Sequence, residues 1–147
     1  MENNLSARYQ TLLILWFSLL MSIGIFFLIT LFIAPPIANN ASNSSNSTPV
    51  IVLTAAGAFL VILSFLVKRK LLERSVEKQD VNLVQQALVV ACAMCEASAL
   101  LGLLERFSFR TSASYLLFLL AAAGTALHFP KRGQLEAASY KSRNIGS

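Results

Sequence analysis

The residues best placed for chemistry lie in one apolar stretch, VNLVQQALVVACAMCEASALLGLLERF, from Val81 to Phe107. Glu96 stands near its middle, with Cys92 and Cys95 just before it. The stretch reads as a membrane-spanning helix. A charge at that depth costs about 2.5–3.5 kcal/mol on insertion scales, so the acid is a functional-site candidate by default. Arg106 lies ten residues on, about 15 Å along a helix, too far to neutralise it. A neutral Glu96 that donates a hydrogen bond is therefore expected. Such a group serves either as an interhelical bond or as a titrating site for a proton or cation.

Cys92 and Cys95 share a helix face at i, i+3. The spacing resembles the C-x-x-C of four-span, quinone-coupled disulfide oxidoreductases. That chemistry needs thiols reachable from the surface and a second cysteine pair, and the chain holds two cysteines in all. Apolar surroundings disfavour the reactive thiolate, so both read as small packing residues. His128, the one histidine, reads as an interfacial side chain. No metal-ligand set, nucleophile–base pair or phosphate loop occurs, so neither an enzyme nor a cofactor is expected.

The elements that must position Glu96 follow from composition. Hydrophobic residues make up 56% of the chain and charged ones 13%, against about 25% charged in soluble domains. The apolar residues come in long blocks, which points to lipid as solvent. The expectation is an all-α integral membrane four-helix bundle in one domain, residues 1–147. Its spans are Thr11–Ala34, Pro49–Val67, Val81–Leu104 and Ser112–Phe129. The length of the first block favours a retained span over a cleavable signal peptide. Pro35-Pro36 ends it, and Asp80 caps the third span. Thr48 caps the second, with Pro49 at the first helical position. Lys68 to Asp80, KRKLLERSVEKQD, forms a charged turn or short interfacial helix. Glu105 to Thr111 forms a turn, and the basic tail 131–147 is loosely ordered. The Asn/Ser-rich loop Ile37–Thr48 carries three glycosylation sequons, at Asn40, Asn43 and Asn46.

The net charge of +5 lies at the ends of the apolar blocks and forms no nucleic-acid motif. Arg8, five cations in the second loop and four in the tail fall on one side; Arg106 and Arg110 fall on the other. The positive-inside rule then puts both termini in the cytoplasm. This describes a multi-pass protein of the cell membrane, the cytoplasmic membrane in a bacterium. Its partners are the lipid bilayer and either further copies or a larger membrane complex.

With Leu83–Leu104 across the hydrocarbon, Glu96 sits within about 5 Å of the midplane. Antiparallel pairing of the second and third spans brings Thr54 to that depth; a parallel first span brings Ser22 there. These two hydroxyls are the expected hydrogen-bond partners. Ala91, Cys95, Ser98 and Gly102 form a small-residue face for the fourth span, whose run Ala121–Ala126 includes Gly124. Small faces let helix backbones approach closely.

Glu96-Ala97 followed by Gly102-Leu103 resembles the ion-carrying helix of the rotor c subunits of rotary ATP synthases. The resemblance covers about a dozen residues, together with the charged loop between the second and third spans. It implies that Glu96 binds and releases a proton. The second span departs from the family, having Gly57 alone where c subunits carry a glycine ladder, and the loop lacks Arg-Gln-Pro. From the residues alone, the expected function is structural or accessory, with Glu96 as a buried bond. Proton or cation handling at Glu96 is the alternative.

Overall fold

A computed structural model describes residues 2–37 and 47–139. The sequons at Asn40, Asn43 and Asn46 and the end of the tail lie outside the described residues. All regular structure among the described residues is helical: α1 (Glu2–Phe32), α2 (Ser47–Lys78), α3 (Val81–Phe109), α4 (Ala113–Leu127) and α5 (Arg132–Ser139).

Several boundaries differ from those read off hydropathy. Helix α1 starts nine residues before Thr11, because nothing in its polar lead opposes a helix. Helix α2 is already helical at Ser47, so Thr48 lies inside it and Pro49 in its first turn. The charged segment beginning at Lys68 does not turn; it carries α2 on to Lys78. Its leucines and alternating charges suit a helix with one face packed. The turn itself is Gln79-Asp80, with Gln79 at φ 53° and Asp80 accepting from the Asn82 amide at 2.9 Å. Helix α3 runs past Leu104 to Phe109, so the expected turn at Glu105 is helical and the actual turn centres on left-handed Arg110. The basic tail forms α5 over Arg132–Ser139, with Leu135 and Ala138 buried.

Cross-helix contacts give the register. Thr54 meets Glu105 and Ser64 meets Cys95, so ten residues forward in α2 are ten residues back in α3. The two helices form a long antiparallel hairpin. Residues 49–67 of α2 are then level with about 92–110 of α3. Helix α1 runs parallel to α3, with Arg8 bonded to Asn82 and Ile23 clustered with Ala99. Along α1, Tyr9 meets Arg132, Trp16 meets Thr125 and Phe27 meets Tyr115. Helices α4 and α5 therefore follow one antiparallel path beside α1, bent by 50° between them.

Three helices are long and apolar enough to cross a membrane, and the bent α4–α5 pair makes a fourth if counted as one span. Helix α4 alone has 15 residues, about 22 Å, short of the roughly 30 Å hydrocarbon core. The interior holds small and polar residues, among them Ala87, Ala91, Cys95, Ser98, Ala99 and Ala121. Beside a few buried large side chains such as Leu117 and Phe118, many large apolar side chains point outward, among them Ile14, Phe17, Phe32, Phe59, Ile62 and Leu119. Water would not tolerate so continuous an exposed apolar surface; lipid does.

Candidate functional site

Helix α3 is the axis of the bundle, touching α1, α2, α4 and α5. Its buried residues recur at three- and four-residue spacing from Val84 to Arg106. Ala91, Cys95, Ser98 and Gly102 all lie on that buried stripe. A Cβ on Gly102 would stand 3.1 Å from Leu117 Cβ and 3.2 Å from the Ser114 carbonyl. One on Gly124 would stand 2.9 Å from Cys95 Sγ and 3.0 Å from Val61. The glycines thus set the separation of α3, α4 and α2 directly.

Glu96 is not on the stripe. It lies between Cys92 and Ala99, both buried, but at the edge of the seam, and it is half-buried. It makes no hydrogen bond or ion pair among the described residues. Ser22, half-buried on α1 at nearly the same level, lines an apolar surface groove with Ser18 and Met21. Thr54 does not reach Glu96. Its hydroxyl bonds the Val50 carbonyl at 2.9 Å and Glu105 Oε2 at 3.2 Å. The antiparallel register places Thr54 nine residues from the expected level, because the α2–α3 turn is two residues long and α2 extends to meet it.

The buried carboxyl of this protein is Glu105, with no exposed surface. Thr111, from the α3–α4 turn, donates to Oε1 at 2.5 Å, and Thr54 donates to Oε2 from α2. The Thr54 hydrogen is shared with Val50, so Thr111 is the stronger donor. One side chain thereby joins α2, α3 and the turn into α4. As part of an expected turn, Glu105 does not stand out in the sequence; the signal that marks it is a Glu–Arg pair seven residues past Ser98, in phase with the small-residue stripe.

A second polar cluster lies toward the other end. His128, expected at an interface, is buried. It sits 2.8 Å from Ser64 Oγ through Nε2 and against the Phe65 ring, 4.4 Å between centroids. Ser64 gives its hydrogen to the Val61 carbonyl at 2.6 Å, which assigns the donor role to the imidazole. Cys95 Sγ lies 3.7 Å from the same hydroxyl. Lys68 Nζ caps the His128 carbonyl at 3.0 Å, and Trp16 Nε1 bonds the Thr125 carbonyl at 2.7 Å. These bonds hold the bend between α4 and α5 against α1 and α2. Cys92 and Cys95 are both free thiols and buried. No group of three or more metal-ligating side chains occurs among the described residues. No protein-family model, curated protein or solved structure matches the chain.

Proposed function

We propose that this is a small multi-pass protein of the cell membrane with a structural or accessory role. Its four spans comprise α1, α2, α3 and the bent α4–α5 pair, with both termini in the cytoplasm. The observation that carries the role is Glu105: a fully buried acid whose two oxygens each meet a hydroxyl from a different element. A carboxyl engaged in this way holds helices together, as buried polar groups in membrane bundles do. The bilayer is its solvent, and further copies or a larger complex are its natural partners.

Charge supports the orientation. By register, the charged end of α2 lies beside the first turns of α3, the polar lead of α1 and α5. That end gathers Arg8, Lys68 to Lys78, Lys131 and Arg132, as a cytoplasmic end does. An apolar band about 30 Å deep then covers about 92–110 of α3, with Glu96 on its inner half and Glu105 on its outer half. Single-cysteine labelling in a Cys92→Ala, Cys95→Ala background tests this. A cysteine at Ser44 should react with an impermeant reagent outside and one at Ser142 should not; labelling at Ser142 defeats the orientation.

One observation favours a second reading, proton or cation handling at Glu96. Its side chain is half-buried within the apolar band with no donor among the described residues, where a titrating group needs to be. Proton flux in liposomes, compared between wild type and Glu96→Gln, decides between the two. Flux lost in the variant establishes handling; wild type no leakier than empty liposomes leaves the structural role.

A further inference from the structure

The outer end of the bundle holds a cation with no hydrogen-bond acceptor or acid partner among the described residues, its one contact being the face of the Tyr115 ring. Arg106 is 5% exposed, and its Nε and Nη1 are buried with no hydrogen-bond acceptor. A buried guanidinium is normally paired, since desolvating a charge without compensation is strongly unfavourable. Its sequence neighbour does not compensate it. One residue turns a helix by about 100°, so Glu105 faces α2 while Arg106 faces α4. The two form no ion pair, and the Glu105 oxygens meet Thr54 and Thr111. Of the seven acids in the chain, Glu2, Glu73, Glu77, Asp80 and Glu136 lie at the opposite end and Glu96 at mid-helix. Arg106 and Arg110 thus share an end with one acid, already engaged.

The surroundings favour an anion. Helix α4 starts beside the guanidinium: Arg106 Cζ lies 5.7 Å from the centre of the Tyr115 ring, in the first turn of α4. Ser112 precedes that helix without a side-chain capping bond, so the positive end of the helix is uncapped. By register with Thr54 and Glu105, Arg106 is level with Leu53, four residues from Pro49. That is about 6 Å inside the end of the apolar band, within reach of a headgroup layer for an arginine. The cover over the guanidinium is Tyr115, half-buried, whose ring meets Phe27 edge-on at 6.2 Å. Phe27 is exposed and Tyr115 half-buried, so this cover over the guanidinium borders the bilayer.

We propose that Arg106 is a phosphate-binding site, taking an oxyanion through its guanidinium beside the first turn of α4. The guanidinium fork matches two phosphate oxygens, which a lysine does not. The shared chemistry is a phosphate oxyanion, and the sources are a phospholipid headgroup or free phosphate. The site rests on the membrane-embedded reading of the fold but not on the orientation, nor on the role of Glu105 or Glu96.

Delipidated protein in detergent tests it by native mass spectrometry and thermal unfolding. The additions are phosphatidylglycerol, phosphatidylcholine, a phosphate-free galactolipid and inorganic phosphate. Either phospholipid should leave one retained lipid and raise the melting temperature by several degrees; the galactolipid should do neither. Inorganic phosphate giving the same rise assigns the site to the free anion, and no rise with it assigns the headgroup. Arg106→Met should abolish retention, Arg106→Lys should weaken it at least about tenfold, and Arg110→Gln should leave it unchanged. Should Arg106→Met fail to fold, the lysine variant and the Arg106 Nε resonance of wild type, which should shift on adding phospholipid, still decide. Retention equal in the lysine variant, or equal for galactolipid and phospholipid, overturns the proposal.

Discussion

Glu96 and Glu105 sit on the same helix, nine residues apart, and meet opposite fates. Nine residues are two and a half turns, so the two carboxyls leave α3 on opposite sides. Glu105 enters the seam with α2 and α4, loses all exposure and gains two hydroxyl partners. Glu96 emerges at the outer edge of the α1–α3 seam, half-buried and without a hydrogen bond among the described residues. Depth in an apolar stretch therefore does not decide whether an acid is buried in protein. The helix face decides it. Arg110, one turn on from enclosed Arg106, is exposed for a different reason: it is the left-handed residue at which α3 ends.

The sharpest way to break this contrast is to replace each acid by leucine. Glu105→Leu strands the Thr111 hydroxyl, at about 1–3 kcal/mol when left unsatisfied, while Thr54 keeps the Val50 carbonyl, and should lower stability by about 2 kcal/mol. Glu96→Leu removes a half-buried carboxyl that has no hydrogen bond among the described residues and should leave stability unchanged or raise it. Thermal unfolding in detergent ranks the two, and equal losses would end the distinction.

Bulk on the stripe that encloses Glu105 tests how closely α3 must approach α4 and α2. Gly102→Leu and Gly124→Leu add side chains where a Cβ alone stands about 3 Å from its neighbours. Overpacking of that kind costs about 1–3 kcal/mol. Leu28→Ala, on the lipid-facing side of α1, should cost less than either glycine change. Melting curves in one detergent compare all three.

The two donors to Glu105 should differ as well. Thr111→Val removes the undivided donor and should cost about 1.5 kcal/mol, whereas Thr54→Val removes one already shared with Val50 and should cost about half that. A reversed order in urea or thermal unfolding would show that Thr54 is the main partner. The smallest effect belongs to Glu96→Gln. With no bond to lose, it should shift stability by less than about 0.5 kcal/mol, and a larger loss would reveal a partner for Glu96.

The solvent, the helices and the small-residue seam were legible in the residues alone. Long apolar blocks, the first stopped by Pro35-Pro36 and the third opened by Asp80, predict membrane-length helices, because each signal is local: hydropathy, helix breaking and capping act within a few residues; α4, stopped before Pro130, is the short one. The stripe from Ala91 through Cys95 and Ser98 to Gly102 was legible for the same reason, since helical periodicity alone puts those residues on one face. Helix ends in charged segments were not legible. Whether KRKLLERSVEKQD turns or continues depends on whether Leu72 finds a cluster to join, here with Leu12, Val84 and Leu88. The identity of the buried acid also waited on the assembled fold. Thr54 belongs to Glu105 rather than Glu96 because the register of α2 against α3 is set by a turn at Gln79-Asp80, a contact between distant residues that no local pattern encodes. Burial of His128 and the lack of an acceptor for Arg106 Nε and Nη1 follow from where α4 and α5 come to rest against the other helices. Such pairings are decided by which faces meet, and that is a property of the assembled bundle.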